Sequence, residues 1–200
     1  MRSLPVACLA FVATACATSR ATINSYVDPN YSKGSIHSLA VFPIRNGRFA
    51  PSEAQQINRE MSQAIHERAP TLRLMSSAEA IRILSDSGLA DRWAVFLDNY
   101  VSSGVPDANA LRRVGQVLGV DAILQGEIVN VFQQDGSYGG NKGTTRVTVR
   151  LTMLDAHAAK LLWEASSDGL RTSATTIGAA PPIIEAVELA VHSLLNALPL

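Results

Sequence analysis

The sequence predicts an α/β (α+β) fold, a single mixed-sheet sandwich with a three-strand antiparallel meander and a C-terminal helix. Three observations predict it. Short apolar runs alternate with amphipathic helical stretches over residues 38–119. Strand-like segments separated only by turns then occupy residues 120–166. A long apolar stripe at helical spacing closes the chain. Strand, helix, strand, helices, meander and helix in that order give a sheet with helices packed against it.

The first core element is Ser38-Leu39-Ala40-Val41-Phe42-Pro43, short, apolar and ended by proline, and it reads as a buried strand. Asn46-Gly47 makes a turn. Pro51-Ser52-Glu53 opens a helix, with proline suited to its first turn. Ala54, Ile57, Met61, Ala64 and Ile65 share one face of it; Arg59, Glu60, Gln63 and Glu67 share the other. Pro70 stops it, and Leu72-Arg73-Leu74-Met75 reads as a second strand.

Ser76 or Ser77 can cap the next helix, with Glu79 in the first turn where the helix dipole favours an anion. Ile81, Leu84 and Ala80 form its expected buried side, and Gly88 ends it. Leu89–Val101 places Trp93, Phe96, Leu97 and Tyr100 at helical spacing. Asp107 caps the following helix, Leu111, Val114, Val117 and Leu118 face inward, and Gly119 closes it.

Val120–Phe132 reads as a long strand, and Asp135–Gly143, with four glycines, as a loop. Thr145–Leu154 alternates cleanly: Val147, Val149, Leu151 and Met153 on one side, Arg146, Thr148, Arg150 and Thr152 on the other. After the turn Asp155–Ala159 comes a third strand, Lys160–Ser166, carrying Trp163. Turn-connected neighbours should pair antiparallel. Pro181-Pro182 starts the final helix, with Ile184, Val187, Val191, Leu194, Leu195 and Leu198 as its stripe.

The amino terminus carries a different signal. Arg2 precedes the apolar run Leu4–Val12, then the small residues Ala13-Thr14-Ala15, then Cys16. A charged start, a short apolar core and a small-residue cleavage site make a secretory signal; the run is far shorter than the ~20 residues that span a bilayer. Ala-Thr-Ala-Cys resembles the lipobox of bacterial lipoproteins, with Ala13 where that family prefers leucine. The resemblance implies cleavage before Cys16, diacylglycerol on its sulfur and acylation of its new amino group. The other reading is an ordinary signal peptide cut near Ala15 or Ala17. Three acyl chains suffice for stable attachment, whereas one binds marginally. Ala17 in place of aspartate points, by the enterobacterial sorting rule, to the periplasmic face of the outer membrane, with the inner membrane as the alternative where that rule does not hold.

The expected organisation is therefore a lipoprotein signal peptide over 1–15, the lipidated cysteine and a tether over 16–35, and a periplasmic α/β domain over 36–200. Residues 17–35 are polar and rich in turn formers, with Tyr26 and Tyr31 available to dock part of the tether. Its full extension would reach roughly 70 Å. Removing residues 1–15 of 200 leaves 185, enough for one domain with a real core. The chain's formal charge is zero and no basic run occurs, which argues against a nucleic-acid partner. Cys8 and Cys16 are its two cysteines, so a lipidated mature chain has no thiol for a disulfide.

Three segments together resemble a known group. They are Leu39-Ala40-Val41-Phe42-Pro43, Leu118-Gly119-Val120-Asp121-Ala122-Ile123-Leu124-Gln125-Gly126-Glu127-Ile128, and Val149–Ala156 followed by Lys160-Leu161-Leu162-Trp163-Glu164. Their order and spacing, over about residues 37–197, are similar to the periplasmic lipoproteins around CsgG, LpoB and the TolB amino-terminal domain. The resemblance implies an anticodon-binding-like fold and a non-catalytic envelope role. Physically the same residues specify fold: Gly119 ends a helix, Gly126 marks a mid-strand bulge or close approach, and Trp163 packs beneath a hairpin. Two departures matter. Gln133–Thr144 is short, polar and glycine-rich, without the lipid-facing alternation of a membrane barrel. The expected tether is also shorter than the one LpoB uses.

Few residues suggest chemistry. Gly136–Thr144 holds Lys142-Gly143-Thr144, the reverse of a phosphate-loop order, and it joins two strands instead of opening a helix. A hairpin tip is the plain reading; Tyr138 among its glycines is a candidate partner anchor. His37, His66, His157 and His192 lack metal-ligand spacing, so no metal and no cofactor is expected. No Gly-x-Ser-x-Gly elbow occurs. Trp93 and Tyr100 read chiefly as core, with a partner-facing helix as the alternative.

The leading expectation is a non-enzymatic, outer-membrane-anchored periplasmic lipoprotein acting as an accessory or assembly factor. Its partners would be the membrane through the lipid, and another envelope protein or further copies of itself. The alternatives are a peptidoglycan- or sugar-binding protein or envelope hydrolase, and an oligomeric secretion-channel component.

Overall fold

The computed structural model describes residues 20–45 and 49–200, with residues 20–22 described by their main chain. Cys16 and the Asn46-Gly47 turn lie outside the described residues. One mixed sheet organises the domain. Its strands are β1 (Arg20–Val27), β2 (Ser38–Arg45), β3 (Arg73–Met75), β4 (Ala122–Gln134), β5 (Thr144–Asp155) and β6 (Lys160–Thr172). The spatial order is β1-β6-β5-β4-β2-β3. β4, β5, β6 and β1 are successively antiparallel, while β2 lies parallel to both β4 and β3. The expected α/β mixed sandwich with its meander and closing helix is the observed one.

The helices are α1 (Pro51–Arg68), α2 (Ser77–Asp86), α3 (Ala90–Ser103), α4 (Ala108–Leu118) and α5 (Ile183–Ala197). Their ends follow local chemistry. Glu53 Oε2 accepts from Ala50 N–H at 2.9 Å, Ser76 Oγ from Glu79 N–H at 3.3 Å, and Asp107 Oδ1 from Asn109 and Ala110 N–H. Gly104 and Gly119 take left-handed conformations that release α3 and α4.

Two cores form, one on each sheet face. α1 and α5 cover Leu39, Val41, Leu124, Val147, Val149, Leu151, Met153 and Trp163. α2, α3 and α4 cover Ala40, Phe42, Ile123 and Leu154. Successive strand residues therefore enter opposite cores, as the pleat requires. On α2 the buried residues are Ala80 and Leu84, whereas Ile81 is 45% exposed. The expectation for Ile81 fails because the inward stripe of α2 runs through Ser77, Ala80, Ile83 and Leu84, which leaves Ile81 on the outer flank of the helix.

The largest departure is the tether. Arg20–Val27 is a strand added to the edge of β6, so the sheet begins inside the segment expected to be a linker. An edge strand wetted on both faces needs no apolar alternation, and its polar composition therefore reads as linker. The following turn is pinned as well. Asp28 accepts from Asn30 N–H at 2.8 Å and pairs with Lys160 at 2.6 Å, while the Tyr31 hydroxyl donates to Pro199 O at 2.8 Å. Tyr26 stays exposed.

Gly126 resolves as a close approach: an added Cβ would sit 2.8 Å from Ile44 Cγ1 and 2.8 Å from Leu151 Cδ2. Gly126 also borders a register shift, since the β2–β4 pairing steps from Val41–Leu124 to Ile44–Gly126; a second shift on β4 lies between Ile128 and Asn130. β6 also runs six residues past the expected end at Ser166, to Thr172.

Asp121 ties three elements together. Its Oδ2 accepts from His37 and Ser38 N–H at 2.9 and 3.0 Å, and its Oδ1 lies 3.2 Å from His157 Nε2. Burial opposes its ionisation, but the N–H groups of His37 and Ser38, the Ser38 hydroxyl and His157 outweigh it and hold the carboxyl below its usual value. The Lys160 ammonium, then Asn30 N–H, hold Asp28 low in the same way. Carboxyls depressed by folding add stability above their unfolded value near ~3.9, and lose it as pH falls through the folded values. Melting temperature should therefore be level from pH 7 to about 5 and fall below about 4. Asp121→Asn should cost about 1–2 kcal/mol at pH 7 and shrink the acid-dependent drop. An unchanged acid limb, measured by circular dichroism, would remove Asp121 from this role.

Candidate functional site

The helical cover on the α2–α4 face stops partway across the sheet. Beyond it, the even positions of β5 and β6 (Arg146, Thr148 and Arg150; Ser166, Asp168 and Leu170) are part-exposed or exposed, while odd positions lie under α5. Asn130 and Phe132 extend this surface onto β4, and both are exposed. The result is an open, largely polar sheet face bordered by the C-terminal end of α3.

At that border a small cleft of about 120 Å³ is lined by Arg45, Tyr100, Gln125, Glu127, Arg150, Thr152 and Glu164, among others. Arg150 pairs with Glu127 at 2.6 Å, Thr152 Oγ1 donates to Glu164 at 3.2 Å, and Arg45 pairs with Asp98. Thr148 Oγ1 donates to Asp168 at 2.6 Å. Burial first, then the negative charge of Glu164 and Glu127, pushes the Tyr100 hydroxyl up to about 12, with Arg150 opposing. The phenol therefore stays a donor. Arg150 Nε is buried without a partner.

These carboxylates are already engaged, and the cleft is well below the roughly 300–1,000 Å³ typical of small-molecule sites. A second groove, about 430 Å³, runs between α3 and α4 along Leu89, Val95, Phe96 and Val114. Two carboxylates line it, both exposed: Asp91, and Asp107, whose Oδ1 is spent capping α4. Among the described residues, no three His, Cys, Asp or Glu side chains converge to hold a metal ion. No helix among them is long and apolar enough to cross a membrane.

The β4–β5 tip is built differently from a free loop. Gly136 N–H donates to Gly178 O at 2.9 Å, Ser137 N–H to Asn141 O at 3.0 Å, and Ala180 N–H to Asp135 Oδ1 at 2.8 Å. Ser173 N–H donates to Gly143 O at 2.8 Å. Gly136 and Gly143 permit this docking, because a Cβ would lie 2.5 Å from Thr176 O at the first and 2.9 Å from Ala179 O at the second. Tyr138 stands on this braced tip, 92% exposed.

Trp93 and Tyr100 are not surface anchors. They are 5% and 6% exposed and lie in the core against β2, because α3 turns its aromatic stripe toward the sheet. The structure thus separates the three aromatic candidates, leaving Tyr138 alone at the surface. The Glu127–Arg150–Glu164–Tyr100 cluster was missed in the sequence. Charged residues at mid-strand positions were the available signal, and only the sheet register brings them together.

No family model and no curated protein matches the chain. Solved structures similar to it include lipoprotein GNA1162 from Neisseria meningitidis, at 16% identity and TM-score 0.49 over 80% of this chain and 99% of that one. The PelC dodecamer from Paraburkholderia phytofirmans is similar at 15% identity and TM-score 0.46, over 90% and 99%. The LpoB C-terminal domain from Salmonella enterica is similar at 12% identity and TM-score 0.42, over 70% and 85%.

Proposed function

We propose that this chain is a membrane-anchored periplasmic lipoprotein, held at the outer membrane through Cys16, that acts without catalysis as an accessory or assembly factor for another cell-envelope protein. The observation that carries the reading is the braced display of Tyr138. An aromatic held out from a tip that is already ordered loses little freedom on binding, and such residues dominate interface energetics. The open polar sheet face beside α3 would supply the surrounding rim. The closed ion pairs of the cleft weigh against the hydrolase alternative. The short, docked tip weighs against a channel built from inserted hairpins.

The test is cross-linking in cells followed by purification from membranes and mass spectrometry, with Cys16→Ser as the unanchored control. A specific envelope protein recovered only with the anchored form supports the reading. Tyr138→Ala should leave the melting temperature unchanged and weaken partner affinity at least tenfold, since loss of a hot-spot aromatic typically costs ~2 kcal/mol or more. Equal recovery with Cys16→Ser, or undiminished affinity with Tyr138→Ala, would overturn the anchor or the contact respectively.

A further inference from the structure

β1 is an edge strand with nothing on its outer side among the described residues. Its pairing register shows which groups face outward. Asp28 N–H donates to Leu162 O at 2.8 Å, in step with Val27 opposite Trp163. Alternate residues of an antiparallel pair exchange hydrogen bonds, so Tyr26, Asn24 and Thr22 turn their main-chain groups to β6. The N–H and C=O groups of Ala21, Ile23, Ser25 and Val27 therefore face outward. Residues 23–27 are all exposed, and Ala21–Val27 contains no charge and no proline. Natural edges are normally blunted by such residues or by shortness. The opposite edge, β3, is blunted: it has three residues and begins with Arg73.

We propose that the β1 edge is a self-association site that pairs antiparallel with β1 of a second copy, across a two-fold axis at Asn24, joining two sheets into one. This rests on the lipoprotein reading above in one respect: cleavage before Cys16 leaves only residues 16–19 ahead of β1, too few to turn back and cover its edge. The same anchor favours a second copy over a soluble partner. Four residues reach at most about 14 Å, so in every copy β1 starts within about 14 Å of the same leaflet, which raises the effective concentration of one edge for another. The register is self-complementary. Centring on Asn24 sets Ala21 opposite Val27 and Ile23 opposite Ser25 of the second copy. All four outward-facing residues then enter hydrogen-bonded pairs, about eight main-chain bonds in all. Arg20 falls opposite Asp28, and no like charges meet. Asn24 faces its own counterpart in a non-hydrogen-bonded pair, where Cα atoms lie about 4.5 Å apart.

That distance lies within the range a disulfide spans. The full chain with Asn24→Cys, expressed with its leader, should run as a homodimer of doubled mass on a non-reducing gel. Tyr26→Cys should not, because the two Tyr26 positions would be about 14 Å apart. Ser25→Pro removes only an outward N–H, which an edge strand tolerates. Added to Asn24→Cys it should abolish the dimer while the circular dichroism melt stays within a few degrees. A monomeric Asn24→Cys chain, a foreign protein captured there in place of a second copy, or equal cross-linking by Tyr26→Cys would each overturn the proposal. Palmitate labelling in the same cells separates the two readings. No dimer with a labelled Cys16 overturns the edge pairing alone; with an unlabelled Cys16, a dimer formed by Asn24→Cys and not by the parent chain, whose Cys16 is then a free thiol, supports the pairing and overturns the anchor.

Discussion

Replacing Gly169 by alanine is expected to destabilise the domain by at least about 3 kcal/mol, an overpacking cost at the upper end of the usual range. Gly169 sits in β6 between Ala21 of β1 and Val147 of β5, beneath α5. A Cβ there would lie 1.8 Å from Ala186 O, 2.8 Å from Ala186 C and 3.1 Å from Ala190 N. All three atoms belong to the α5 main chain, so no rotamer change relieves the overlap. The helix itself must lift. It contributes Ala186, Val187, Ala190, Val191, Leu194 and Leu195 to the core it shares with α1, and the small Ala186 and Ala190 are what bring its axis this close. A 3 kcal/mol loss in a domain of this size lowers the melting temperature by roughly 6–12 °C. Gly139→Ala is the control, since its Cβ would meet only Ser137 Oγ at 3.8 Å. A Gly169→Ala protein that melts with the control would refute the close packing of α5 on β6.

Gly169 also shows where the sequence becomes hard to read. A strand is legible when one of its faces is dry, as in β5, where Val147, Val149, Leu151 and Met153 alternate with polar residues. β6 loses that pattern after Ser166 because its residues there face a helix through Gly169 and Ser167, and a small residue under a helix carries no apolar signal. β1 is hidden for the related reason that an edge strand is wet on both sides. Caps survive better, since Ser76, Asp107 and Gly119 act within a turn or two of their own position. Of the surface, the exposure of Tyr138 was legible, because a lone aromatic among the glycines of a hairpin tip has no core within reach. The cleft around Glu127, Arg150 and Glu164 was not, because its members come from four strands and α3, and only the fold joins them.

Trp93→Ala should cost about 3–5 kcal/mol, the usual penalty for removing a buried large aromatic. Trp93 packs on Phe42 of β2 with ring centroids 4.8 Å apart, and stacks on Phe96 at 4.8 Å with planes 11° from parallel. Phe96 continues the stack to Tyr100 at 6.1 Å. These rings hold α3 to the sheet, and α3 in turn borders the open face. Trp93 Nε1 is buried without a hydrogen-bond partner, a burden that Trp93→Phe removes along with some packing. Trp93→Phe should therefore cost well under half of what alanine costs. The consequence for function is a clean separation of two aromatics. Partner recovery by Trp93→Ala, corrected for the folded fraction at the assay temperature, should match the wild type, whereas Tyr138→Ala should fail to recover partner while fully folded. A Trp93→Ala protein with an unchanged melt and lost recovery would reverse the assignment. α3 would then have to open its aromatic stripe to the partner, and the core seen around Phe42 would be the resting form of a binding surface.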